Sequence, residues 1–292
     1  MDIALWTAII GVLGTLVAAL LVKLFERREV RLRERKERTV TVERIQDPSN
    51  PTVQEALRLY ERRIPLEEQD EQADIVRWLR EIQGEKERGV CKLEDYFLVA
   101  SLGEDTLAGF AYVQLYPAHL LAFFSYLVVD DRIPEARECR VSTQLVQKVA
   151  EFLRHSGACK RIVAELEEPT VLEGERAVDA RARIRRLKGL AKAAQCSLKT
   201  VKMVYYQPKL DPFDQGDTAE TRMRLMYGPL DPESEPRRLH KRDVSDLLSF
   251  LAESIYGDHF EHRADLDTAY RAYLEKWRAR LLEDLPVAVE LS

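Results

Sequence analysis

The run Leu121–His155, LAFFSYLVVDDRIPEARECRVSTQLVQKVAEFLRH, constrains the fold more than any other stretch of the chain. Phe123 to Val129 is apolar and rich in aromatic and β-branched residues, the pattern of a buried strand. A short charged loop follows from Asp130 to Arg140 and contains Pro134. Val141, Leu145, Val146, Val149, Phe152 and Leu153 then recur at helical spacing, with Ser142 or Thr143 placed to cap the start. Strand, loop and helix in this order mark a chain of mixed α and β class. The first amides of such a helix have no partner within it, and the helix dipole adds positive potential there. The loop is therefore a natural seat for an anionic group.

Further elements flank this unit. Thr39–Ile45 alternates like a first strand, and Asp47–Pro51 is a turn that opens an amphipathic helix ending at Pro65. Asp70–Ile82 carries a second helical stripe. Tyr96–Ser101 and Leu107–Tyr116, joined by a Gly-Glu-Asp turn, read as a hairpin. Arg161–Glu167 is another strand, and Val178–Ala194 a basic helix. Val201–Leu210 and Glu220–Leu230 read as a final strand pair. Beyond them lie two amphipathic helices, 243–260 and 266–285, with Asp243 a candidate N-cap. This pair is expected either to brace its own domain or to form a dimer or partner surface, which leaves a homo-oligomer open.

Charge is unevenly placed. The net charge is −5, yet residues 1–38 hold eight Lys/Arg against five Asp/Glu, which leaves the remainder acidic. An acidic body argues against nucleic acid as a partner. Ile3–Val22 contains no charged residue and is long enough to cross a bilayer as a helix. The basic cluster after it (Lys23, Arg27, Arg28, Arg31, Arg33) places that side in the cytoplasm, so the expected location is the inner or plasma membrane, single-pass, with the main domain cytoplasmic. Residues 25–38 alternate in sign as a solvated helical stalk. Cys91, Cys139, Cys159 and Cys196 lie far apart, so neither a metal site nor a disulfide framework is expected.

The segment Arg137-Glu138-Cys139-Arg140-Val141-Ser142 after the central strand, with the element order βααβββαβαββ across residues 39–230, resembles the GNAT acyltransferases. In that family a loop written Q/R-x-x-G-x-G/A wraps the pyrophosphate of acetyl-CoA. The leading Arg is present, while Arg140 and Ser142 stand at the glycine places. Glycine takes positive φ without strain, and Arg140 is expected not to do so freely. A guanidinium would instead pair with a phosphate. The Glu165-x-Glu167-x-Pro169 strand end and the run Tyr205–Leu210 also look like those of a bacterial branch of such enzymes.

The resemblance implies a GNAT-like fold, a mixed and mostly antiparallel sheet flanked by helices. It divides the chain into a transmembrane helix (1–24), a stalk (25–38), an acyltransferase domain (39–230) and a C-terminal helical extension (231–292). It implies acetyl-CoA or another acyl-CoA as co-substrate, held by Leu127, Val128 and Val129 along the strand and by Arg137, Glu138, Cys139, Arg140, Val141, Ser142 and Thr143 in the loop. The acceptor would be an amine: a protein lysine, an N-terminus or a membrane-proximal small molecule.

The family's strand glutamate is missing between Leu120 and Val129, so the candidate base comes from Glu165 or Glu167. These share one strand face and, if buried together, would raise one pKa. The resemblance also implies a tyrosine as general acid; the basic helix contains none, so the candidates are Tyr205, and beside it Tyr206, on the next strand. The rival reading is a catalytically degenerate module that senses acyl-CoA or binds a partner at the membrane.

Overall fold

Among the described residues a single parallel contact interrupts an otherwise antiparallel sheet, and the sheet opens at that contact. The computed structural model describes residues 39–64, 72–87, 93–103, 106–209, 221–234, 236–257, 264–283 and 285–292. The apolar run 3–22 and the stalk 25–38 lie outside these. Among the described residues no helix is long and apolar enough to cross a membrane.

Strand β1 (Val40–Ile45) leads to helices α1 (Pro51–Arg63) and α2 (Gln72–Glu87). Asn50 caps α1 by accepting from the Thr52 amide at 2.9 Å, and Pro51 occupies the first turn, where its missing N–H has no helical partner to lose. The chain then forms β2 (Glu94–Leu102), β3 (Thr106–Tyr116) and β4 (Leu121–Val129). The segment expected as a loop contains a one-turn helix, α3 (Pro134–Glu138), before α4 (Val141–Ser156). Next come β5 (Arg161–Glu167), α5 (Gly174–Ala193), β6 (Lys199–Thr200), β7 (Tyr205–Tyr206) and β8 (Arg222–Pro229).

Within the described part of the strand expected over Val201–Leu210 only β7 forms, and β6 lies just before it, both against β8. The cause is competition for its backbone. The Lys202 amide bonds to Glu290 O and the Thr200 amide to Ser292 O, while Pro208 has no amide to give.

The sheet runs β1-β2-β3-β4-β5-β8-β6, with β7 also on β8, and among the described residues only β4 and β5 are parallel. One face is covered by α4 and α5, whose Val141, Leu145, Val149, Leu153 and Ile184 pack on Leu98, Ala111, Val113, Phe124 and Ile162. The other face is shared. Helices α1 and α2 cover β2, β3 and the end of β4 through Leu57, Tyr60, Ile75, Phe97, Phe110 and Val128.

The C-terminal region covers the rest of that face. It consists of β9 (Arg238–His240), α6 (Lys241–Phe250), a π turn (Leu251–Ile255), α7 (Ala264–Glu283) and β10 (Ala288–Glu290), with β9 and β10 paired. Leu247, Leu248, Phe250, Tyr256, Leu274 and Trp277 pack on Phe123, Val163, Tyr205 and Leu225. Asp243, expected as the N-cap, lies in the first turn of α6 and accepts the His240 amide at 2.9 Å.

Candidate functional site

Strands β4 and β5 pair only at Leu121/Arg161, Ala122/Ile162 and Phe123/Val163 and then diverge. The divergence follows from a bulge. Tyr112 opposes Tyr126 and Val113 opposes Phe124, which leaves Ser125 unmatched and bends β4. The bulge also reverses the alternation: Phe124 and Leu127 face α4, whereas Phe123 and Val128 face the opposite layer.

Beyond the bulge the Asp130 amide bonds to Ala108 O at 2.9 Å, with Val129 opposite Gly109. Antiparallel bonding alternates, so Leu127 and Val129 turn their N–H and C=O groups away from β3 and toward the gap beside β5. At Gly109 a Cβ would meet Val128 O at 2.6 Å, so only glycine lets β3 lie this close to β4. The three strand residues expected to hold the acyl-CoA therefore divide. Leu127 and Val129 offer main-chain groups to the gap, while Val128 bonds toward β3 and buries its side chain under α1.

The gap ends at the loop. Asp130, only 4% exposed, closes the turn by accepting from Arg132 N at 3.0 Å, Nε at 2.9 Å and Nη2 at 2.5 Å. Those bonds, outweighing the opposite effect of burial, hold its carboxyl below the usual range. A separate cleft of about 530 Å³ lies on the far side of β4 from β5, between Arg62 of α1 and Thr106 of β3.

Neither Ser142 nor Thr143 caps α4. The N-cap is Arg140, in the left-handed conformation (φ 54°, ψ 43°) and without a side-chain capping bond. The expectation that Arg140 would avoid positive φ is therefore corrected. The turn from α3 requires it, and the Arg140 carbonyl accepts from the Thr143 and Gln144 amides at 2.9 and 3.1 Å, holding the residue in place.

Within the loop the Cys139 and Arg140 amides are bonded to Glu135 O and Arg137 O. The Val141 and Ser142 amides have no acceptor among the described residues. An anion at this point would meet two helix-terminal amides with the exposed Arg137 and Arg140 side chains beside them. Glu138 is exposed and Cys139 half-buried. The Cys139 contribution is its carbonyl, which accepts from Gln144 Nε2 at 2.9 Å.

At the diverging end of β5 the two candidate carboxylates part company. Glu165 Oε1 accepts from the Tyr205 phenol, and Oε2 from the Tyr256 phenol at 2.5 Å. Glu167 is clamped by Arg176 at 3.0 Å and by Arg183, both on α5. The expected mutual repulsion is absent because each acid has its own partners. Burial raises the Glu165 pKa, and the two phenols only partly offset this. Burial, reinforced by the Glu165 charge, raises both tyrosines well above their ordinary range. Trp277 completes the group, its ring centroid 6.1 Å from Tyr205 and 6.3 Å from Tyr256, both edge-on. Its Nε1 donates to Tyr206 O at 2.7 Å.

No family model matches the chain. No curated protein matches it either. Solved structures similar to it include a putative acetyltransferase of the GNAT family from Bacteroides thetaiotaomicron, at 18% identity and TM-score 0.49, covering 74% of this chain and 98% of that one. A putative GNAT-family acetyltransferase from Desulfovibrio desulfuricans is 17% identical at TM-score 0.42, over 66% of this chain and 99% of its own. A Bacillus subtilis acetyltransferase in complex with CoA is 16% identical at TM-score 0.36, over 65% and 97%. With every one of these scores below 0.5, the chemistry rests on the residues themselves.

Of the catalytic candidates, the structure brings Glu165 and Tyr205 together and leaves Glu167 as an ion-pair anchor for α5. It adds Tyr256, delivered by the π turn at the end of α6. Tyr256 N bonds to Leu251 O, and Tyr116 Oη reaches Ser254 O at 3.1 Å. The available signal was a tyrosine closing an amphipathic helix before Gly257. That signal does not say which strand the ring will meet.

Proposed function

We propose that the chain is an acyl-CoA-dependent N-acyltransferase, with acetyl-CoA as the first co-substrate to test. One observation carries the reading. Strand β4 bends away from β5 so that the Leu127 and Val129 main chain lines a gap, with an uncapped helix start at one end and a partly buried carboxyl at the other. The residues fit a thioester carried on a phosphorylated arm. Val141 and Ser142 amides with Arg137 and Arg140 would hold the diphosphate, and a strand-edge N–H would receive the thioester oxygen. As the amine nitrogen attacks the carbonyl carbon, that N–H stabilises the oxyanion, an effect worth about 3 kcal/mol per donor in comparable sites. Glu165 takes the amine proton, directly or through water. When the C–S bond breaks, a phenol beside it, Tyr205 or Tyr256, gives its proton to the thiolate.

The anchor belongs to the same proposal: residues 3–22 span the membrane, 25–38 form the stalk, and the rest lies on the cytoplasmic side. This biases the acceptor toward amines near the membrane. Residues 39–230 are proposed as the catalytic unit, with 231–292 as an extension that supplies Tyr256.

A second reading, a module that binds acyl-CoA without turnover, is favoured by the fact that both Glu165 oxygens are already taken by phenols. Calorimetry of the full chain with acetyl-CoA, followed by thiol release in the presence of an amine panel, separates the two. Binding with amine-dependent release supports the transferase. Binding without release supports the module, and absence of binding overturns both.

A further inference from the structure

Helix α5 carries seven Lys/Arg against two Asp/Glu, a net +5 in a chain whose total is −5. Two of the cations, Arg176 and Arg183, are held by Glu167, and Lys188 Nζ reaches Ser292 O at 2.6 Å. The exposed Arg181, Arg185, Arg186 and Lys192 have no ion-pair or hydrogen-bond partner among the described residues.

Their spacing places Arg181, Arg185 and Lys192 along one outward stripe, with Arg186 at its flank and Val178, 53% exposed, at its start. On the other long helices part of the exposed charge is paired along the helix. Arg77 pairs with Glu81 on α2, Lys148 with Glu151 on α4, and Arg271 with Asp267 on α7. Like charges four residues apart destabilise a helix, so the α5 stripe is unfavourable for the isolated molecule.

We propose that this stripe docks on anionic lipid headgroups, laying α5 against the membrane surface beside the anchor. Charge complementarity fits the headgroups, and the sequence supplies the proximity. The uncharged run 3–22 is followed by a basic segment, 23–38, which spans about 24 Å if helical and over 50 Å if extended. The extended length exceeds the four strand spacings, about 19 Å, that separate β1 from β5 in the sheet, so such a segment leaves α5 within reach of the surface. The inference rests on the anchor assigned above, and its test separates the two claims.

Full-length protein is reconstituted into nanodiscs of phosphatidylcholine alone or mixed with phosphatidylglycerol, and its lysines are acylated in brief pulses and read by mass spectrometry. Lys192 reports the stripe, and the exposed Lys276 on α7, in the layer across the sheet, is the control. Each cation at an anionic surface shifts the docked ratio by about fivefold. Lys192 labelling should therefore fall at least about fivefold in the anionic discs and recover in high salt, with Lys276 unchanged. Arg181→Glu with Arg185→Glu should abolish the protection. Equal Lys192 labelling in both discs overturns the proposal, as does protection by duplex DNA in place of lipid. A chain that stays outside the discs overturns the anchor, and the same footprint taken with anionic vesicles then decides the stripe alone.

Discussion

Glu165 sits where burial opposes its charge, so its pKa in the folded protein lies above the ordinary 4.5. A group raised in this way contributes its full stability below its ordinary pKa and loses it as pH rises through the folded value. As pH climbs from about 4.5, wild-type stability should therefore decline relative to Glu165→Gln, measured by urea unfolding at each pH. A pH-independent difference would remove the buried carboxyl from the account. In the transferase the same substitution removes the proton acceptor, so turnover should fall about a hundredfold or more while acetyl-CoA affinity holds. Glu165 was legible as one of two acids at a strand end. Its separation from Glu167 was not, because the Arg176 and Arg183 that claim Glu167 come from the following helix. Tyr256 was hidden for a related reason: its partner lies 91 residues away, and no local pattern encodes that meeting.

The loop between β4 and α4 shows what an element can hide. Its strand and helix were plain from apolar spacing, whereas the one-turn α3 and the left-handed Arg140 depend on how the chain must turn between them. A side chain in the left-handed region costs about 1–2 kcal/mol, and glycine would relieve it while loosening the unfolded chain by less. Arg140→Gly should therefore raise stability by about 0.5 kcal/mol. If the guanidinium contacts a diphosphate, the same change should weaken acetyl-CoA binding, most visibly at low salt. Calorimetry and urea unfolding on one variant thus read opposite signs. Unchanged affinity in both Arg140→Gly and Arg137→Ala would show that neither side chain touches phosphate. The shortening of the Val201–Leu210 strand was equally unreadable, since the segments that compete for its amides, near Glu290 and Ser292, lie far along the chain.

Across the whole molecule the order of the longer strands and helices through residue 229 was readable, because each declares its own period. Amphipathicity, however, says that a helix has an apolar face and not what that face covers. In the structure α6 and α7 complete the layer that α1 and α2 leave half-built, and their side chains share one cluster with β4, β5, β7 and β8. Trp277 is the joint: 2% exposed, it lies edge-on to Tyr205 and Tyr256 and donates to the Tyr206 carbonyl. Trp277→Ala should cost about 3–5 kcal/mol through the cavity it leaves, and the lost hydrogen bond adds to that. The loss should appear as one cooperative transition at lower urea, coincident by fluorescence and circular dichroism, because the C-terminal helices and the sheet have no separate cores to melt apart. Activity should fall in the same variant, since both phenols lose the ring that fixes them against Glu165. Two resolved transitions, with the sheet surviving the first, would instead make residues 241–283 an independent attachment and leave Tyr256 outside the chemistry.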